Sequence, residues 1–247
     1  MYRIPLILLA LILPITASTA VQRPNFLIIF IDDMGYGDPS CYGNKEVKTP
    51  HIDGLAKEGM RFTSFYAQSV CGPSRGALMT GRYPHRIGGG WQTNGEEVFV
   101  SEILKEAGYK TACIGKWDMS RRRYQKDRVP NAQGFDHYFG ALGANDRNKV
   151  TLFENRKELE TTEDMAGLSR LFTDKSIKFL EEQKKDEPFF LYLAHTMMHV
   201  VIDASPEFRD STGKGIYADT MVELDHEIGR LLAKLKELGL DENTMVL

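Results

Sequence analysis

Three short stretches of this 247-residue chain carry residue types whose spacing could do chemistry on a charged substrate: Asp32-Asp33, Cys71-Gly72-Pro73-Ser74-Arg75 and Gly115-Lys116. Adjacent carboxylates repel one another and are costly to hold together unless a cation compensates, so a divalent metal is a natural partner for the aspartates. Oxygen donors favour calcium or magnesium over zinc. Taken alone, the same pair also fits a solvated turn. Pro73 suits the first position of a helix, which would set the Cys71 side chain beside a helix N-terminus. Unpaired backbone N–H groups there favour an anion, and Arg75 adds a planar cationic fork. Gly72-Pro73-Ser74-Arg75-Gly76 also fits the G-x-S-x-G elbow of serine hydrolases, a reading that leaves Asp32-Asp33 and Cys71 without a role.

The elements that must position these groups alternate between strand and helix. Asn25 to Ile31 is continuously apolar, the pattern of a strand buried on both faces of a parallel sheet, and it ends at Asp32-Asp33. Thr49 and Pro50 open a helix running to Lys57, with Gly59 beyond its end, and Met60 to Ala67 reads as extended. A helix follows Pro73, another spans Glu97 to Ala107, and Tyr109 to Gly115 returns to strand. Ser120 to Thr162 loosens into polar sequence read as loops with minor elements, and Arg121-Arg122-Arg123 within it as a solvated loop. Ser169 to Lys184 has the period of an amphipathic helix, Pro188 to Ala194 that of a buried strand, and Ile216 to Leu238 that of a long helix. Thr244 to Leu247 reads as a strand beginning. In such α/β sheets ligands gather at the carboxyl ends of parallel strands, so two of the three stretches should converge there.

The stretch Cys71-Gly72-Pro73-Ser74-Arg75-Gly76-Ala77-Leu78-Met79-Thr80-Gly81-Arg82 resembles the hallmark of the sulfatase family, Cys-x-Pro-Ser-Arg followed by a helix ending in Thr-Gly-Arg. Pro24 through Asp38, Tyr109 to Trp117, Gly134 to Gly140, Pro188 to Leu191, His199, and Tyr217 to Asp225 also fall in family order. The resemblance implies an α/β fold: an alkaline-phosphatase-like, mainly parallel sheet flanked by helices, here truncated at its C-terminus. It also implies hydrolysis of sulfate esters of sugars or aryl alcohols. By the same likeness Cys71 would be converted by a separate formylglycine-generating or sulfatase-maturing enzyme to formylglycine, and Ca²⁺, with Mg²⁺ as the alternative, would be held by Asp32, Asp33 and the modified residue 71. Arg75 would orient the nucleophile, and Lys116 and His199 would bind the sulfate, although His195 competes for the histidine role. Phosphomonoester or phosphodiester hydrolysis on the same scaffold, and binding of sulfated glycans without turnover, stay open.

Two departures stand out. The family has a histidine where this chain has Asp118, which would repel a sulfate unless protonated or turned onto a cation. The family's later Asp-Asn metal pair, a further lysine and a C-terminal subdomain are not among these 247 residues, so Asp32, Asp33 and residue 71 would by themselves fall short of the ~6–8 oxygens of a calcium site. The expectation is weak metal binding and slow turnover or none.

Residues 1–20 read as a secretory signal peptide, with Arg3, an apolar run and Ala17-Ser18-Thr19-Ala20, so export machinery is an expected partner and the expected location is periplasmic or extracellular. Residues 21–247 are then the N-terminal part of a catalytic domain. With 31 basic and 34 acidic side chains, no electrostatically driven nucleic-acid partner is expected. Of three cysteines, Cys41, Cys71 and Cys113, at least one cannot pair within the chain.

Overall fold

The computed structural model describes residues 23–89 and 92–247; the expected leader peptide lies outside them. The strands are β1 (Asn25–Ile31), β2 (Lys110–Lys116), β3 (His137–Ala141), β4 (Val150–Glu154), β5 (Lys157–Thr162), β6 (Phe189–His195) and β7 (Thr244–Val246). The α-helices are α1 (Pro50–Glu58), α2 (Cys71–Thr80), α3 (Val100–Glu106), α4 (Leu168–Glu181) and α5 (Ile216–Glu237). The strands form one sheet in the order β5-β4-β3-β2-β6-β1-β7, parallel from β3 to β7 and antiparallel at β4 and β5. No described helix is long and apolar enough to cross a membrane.

Period-two alternation divides the central strands between two cores. Leu27, Ala112, Ile114, Leu191 and Leu193 face a layer that includes Phe172 and Leu180 of α4 and Leu231 and Leu235 of α5. Phe190, Tyr192 and Cys113 face the other way, with Met79 of α2, Phe99 and Trp117. A strand with helices on both faces needs apolar residues at every position, which is why β1, β2 and β6 are visible as unbroken runs. Gly115 pairs in register with Gly140 on one side and Ala194 on the other. A Cβ at Gly115, where φ is +106°, would lie 2.0 Å from the Ala194 carbonyl oxygen, so glycine is required just before Lys116.

Two expectations are corrected. Ser120 to Thr162 holds more than minor elements: β3, β4 and β5 extend the sheet edge there, joined by loops. These strands are short, and all but the last residue of β5 are exposed, so β5 lacks the alternation that marks a half-buried strand. Met60 to Ala67 is irregular rather than a strand, with Met60, Phe62, Phe65 and Tyr66 exposed. Helix α2 also begins two residues earlier than Pro73 suggests; Pro73 falls within the first turn, where a missing N–H deprives no helical acceptor.

His195 closes β6 with no exposure and no hydrogen-bond partner on either ring nitrogen. Burial pushes its pKa from 6.5 down to about 3. A histidine whose folded pKa is depressed gives stability that is complete above the unfolded value of 6.5 and is lost as pH falls toward 3, because the unfolded chain takes up the proton first. The substitution His195→Leu is expected to flatten this acid dependence. Urea midpoints at about pH 7 and about pH 4 provide the measurement; equal pH slopes in the two proteins would show that the ring does not act this way.

Candidate active site

The carboxyl ends of β1, β2 and β6 meet the N-terminus of α2. Asp32 follows β1 directly and is buried, whereas Asp33, in left-handed backbone (φ 53°), keeps a side chain 56% exposed. Lys116, at the end of β2, is fully buried; its Nζ donates to Asp32 Oδ2 and lies 3.6 Å from Asp118 Oδ2. Arg75, one turn into α2, is fully buried as well. It places Nη2 3.4 Å from Asp32 Oδ1, donates from Nη1 to the Lys116 carbonyl at 2.8 Å and the Tyr192 hydroxyl at 3.2 Å, and stacks over Phe30. Buried charges persist only when they are paired and hydrogen-bonded, and these residues compensate one another.

Cys71 opens α2, half-buried, and its Sγ donates to Asp118 Oδ2 at 3.0 Å. Burial first, and then this carboxylate, push the thiol pKa up. Cys41, Cys71 and Cys113 are all unpaired. The far end of α2 explains the rest of the motif: Gly81 takes left-handed backbone (φ 65°) to close the helix, with its N–H on Ala77 O at 2.8 Å, while Thr80 bonds back to Gly76 O. Ser74, the nucleophile of the serine-hydrolase alternative, is buried and donates to Val70 O at 2.8 Å, with the Gln68 N–H on its oxygen. No base approaches it within hydrogen-bond distance among the described residues.

Asp118 is turned onto cations. Arg122 Nε meets its Oδ1 at 3.0 Å, and Arg122 Nη1 continues to Asp146. His199, not His195, reaches the open rim: its Nε2 is 3.5 Å from Asp146 Oδ1 and 3.9 Å from Asp33 Oδ2. Its Nδ1 faces Asn145 Oδ1 at 3.1 Å and Val200 O at 2.6 Å, which fixes the ring. The sequence reading missed Arg122, Asn145, Asp146 and Tyr192. Tyr192 carried a signal, since it alternates onto the α2 face of β6; the other three sit on loops without periodicity.

Asp32, Asp33 and Cys71 are not gathered as the expected metal set. Both Asp32 oxygens are engaged by Lys116 and Arg75, and Cys71 turns to Asp118. Among the described residues no three His, Cys, Asp or Glu side chains cluster in a way that could hold a metal ion. A fully buried carboxylate must be neutralised, and the adjacent ammonium and guanidinium already do this. The donor set as arranged does not fit a calcium ion.

Residues 24–247 match the family described as Sulfatase. The chain belongs to the sulfatase family. Among similar sulfatases, the N-acetylgalactosamine-6-sulfatase of Homo sapiens is 34% identical over 93% of this chain and 50% of its own length. Arylsulfatase A of Homo sapiens is also 34% identical, over 96% of this chain and 54% of its own. The crystal structure of PsFucS1 sulfatase from Pseudoalteromonas sp. superposes with a TM-score of 0.80 at 29% identity, covering 91% of this chain and 54% of that one. The chain thus spans about half the length of the sulfatases it matches.

Proposed function

We propose that this chain carries sulfuric ester hydrolase chemistry centred on residue 71, with Cys71 converted to formylglycine by a separate maturing enzyme. The observation that carries the reading is the convergence of Asp32 and Lys116, at the carboxyl ends of β1 and β2, with Cys71 and Arg75 of the Cys-x-Pro-Ser-Arg motif. A hydrated aldehyde supplies a hydroxyl to attack sulfur and a second hydroxyl whose deprotonation releases sulfate and restores the carbonyl. Lys116 and His199 offset charge on the sulfate as the alcohol departs, His199 from the rim and Lys116 from its buried place against Asp32. Arg75 acts from behind, fixing Asp32 and the Lys116 backbone. Asp118 accepts the hydrogen bond of residue 71 and orients it; its charge is balanced by Lys116 and Arg122.

Calcium, with magnesium second, enters through family membership alone, and no step above uses it. The compensated state of Asp32 supports weak metal binding by these residues. The family likeness and the leader-like residues 1–20 support an exported, periplasmic or extracellular protein, and sulfated sugars or aryl sulfates as substrates.

The decisive experiment is peptide mass spectrometry across Cys71 in protein produced with a maturing enzyme, paired with p-nitrophenyl sulfate and p-nitrophenyl phosphate assays. Aldehyde at position 71 and a preference for sulfate of at least about tenfold are expected. An unconverted thiol in active protein, or a preference for phosphate, would overturn the assignment.

A further inference from the structure

A cavity of about 550 Å³ opens between the loop after β2 and the loop joining β3 to β4. Buried Leu142 and Phe153 line it together with the carboxylate of Glu158 and with exposed Tyr124, Arg123, Arg147 and Lys149. The last three have no carboxylate within 4.0 Å among the described residues. The cavity shares two walls with the candidate active site. Arg122 lines it while holding Asp118, the acceptor for Cys71, and Asp146 lines it while facing His199.

The local backbone is shaped to keep this arrangement. Asp118, Arg121 and Arg122 all adopt left-handed backbone, with φ of 53°, 53° and 57°. Non-glycine residues hold such conformations only where the surroundings over-determine them, and they concentrate at ligand sites. Gly143 supplies part of that constraint: a Cβ there would lie 2.9 Å from Arg122 Cβ, so the absent side chain admits the arginine stem. An apolar base, an aromatic face and three uncompensated cations suit a sugar ring that carries a negative charge.

We propose that this cavity is a second anion-binding subsite, taking the carboxylate or sulfate of the sugar next to the ester being cleaved. The substrate class is then an acidic oligosaccharide rather than a simple aryl sulfate. This deepens the hydrolase reading and rests on it for the word substrate, but the binding itself needs no turnover.

The test is calorimetry on the 247-residue chain carrying Cys71→Ala, with and without Arg147→Ala/Lys149→Ala, using three hexasaccharide probes: one bearing uronates without sulfate, one bearing sulfates on neutral sugars, and one uncharged. At least one anionic probe is expected to bind, and to bind about tenfold more weakly to the double-alanine variant; which probe loses affinity identifies the charged group. A Arg147→Glu/Lys149→Glu pair should abolish the binding. Unchanged affinity in both variants, no binding of either anionic probe, or equal binding of the uncharged probe, would sink the subsite. Lost turnover of p-nitrophenyl sulfate by matured wild-type protein, with anion binding intact, would sink the hydrolase reading alone.

Discussion

Cys71→Ala in protein exposed to the maturing enzyme is expected to lose sulfate-ester turnover by at least about 10³-fold with little change in thermal stability. Cys71 sits at the start of α2, and its side chain makes a single hydrogen bond, to Asp118, so its removal takes away chemistry rather than packing. Cys71→Ser should be equally poor, since a lone hydroxyl can attack but cannot release the sulfate it acquires. Ser74→Ala is the informative contrast. Its hydroxyl is committed to Val70 O and the Gln68 N–H, and losing it should cost about 1 kcal/mol of stability and little turnover. Initial rates and melting curves of the three variants make the measurement. A collapse of activity in Ser74→Ala with Cys71→Ala still active would restore the serine-hydrolase alternative.

The second large effect concerns Lys116. Its ammonium is fully buried between Asp32 and Asp118, and Lys116→Met would leave two buried carboxylates with only Arg75 and Arg122 to compensate them. Removing one partner of a buried ionic network costs about 3–5 kcal/mol. For a chain of this size that is a fall in melting temperature of about 6–20 °C, at about 2–4 °C for each kcal/mol. Adding Asp118→Asn should return part of the loss, because the pair is coupled by about 1–3 kcal/mol. Denaturant titration of the single and double variants gives the coupling directly. A Lys116→Met protein as stable as the parent would mean that these charges are not held as described.

Much of this architecture was legible because the central strands are buried on both faces. The bounds expected for β1 are those found, and β2, β6, α4 and α5 differ from expectation by at most three residues at either end. The meeting of Asp32 and Lys116 followed from strand-end geometry, and the place of Arg75 beside them from the family resemblance. What was not legible depends on tertiary neighbours. Residues Lys157–Thr162 read as loop because a strand that packs against no core has no apolar period to show. The turning of Asp118 onto Arg122 depends on left-handed backbone at three non-glycine residues and on the space left by Gly143, and propensity argues against the first of these. His195 and His199 carry the same side chain four residues apart. Only the loop bearing Asn145 and Asp146 distinguishes the packed ring from the one at the rim.

The strand order also bears on when the molecule can take shape. Strand β1 pairs only with β6 and β7, and the bonds that Asn25 makes to Phe189 and Thr244 span 164 and 219 positions. At about 5–20 residues per second of synthesis, β1 waits roughly ten seconds or more after leaving the ribosome for its first neighbour. A naked apolar strand of that kind is prone to pair with other chains, and closing so long a loop is slow even when the full polypeptide is free. Yield in a host cell should therefore respond more to holdase chaperones and slow growth than to any surface substitution.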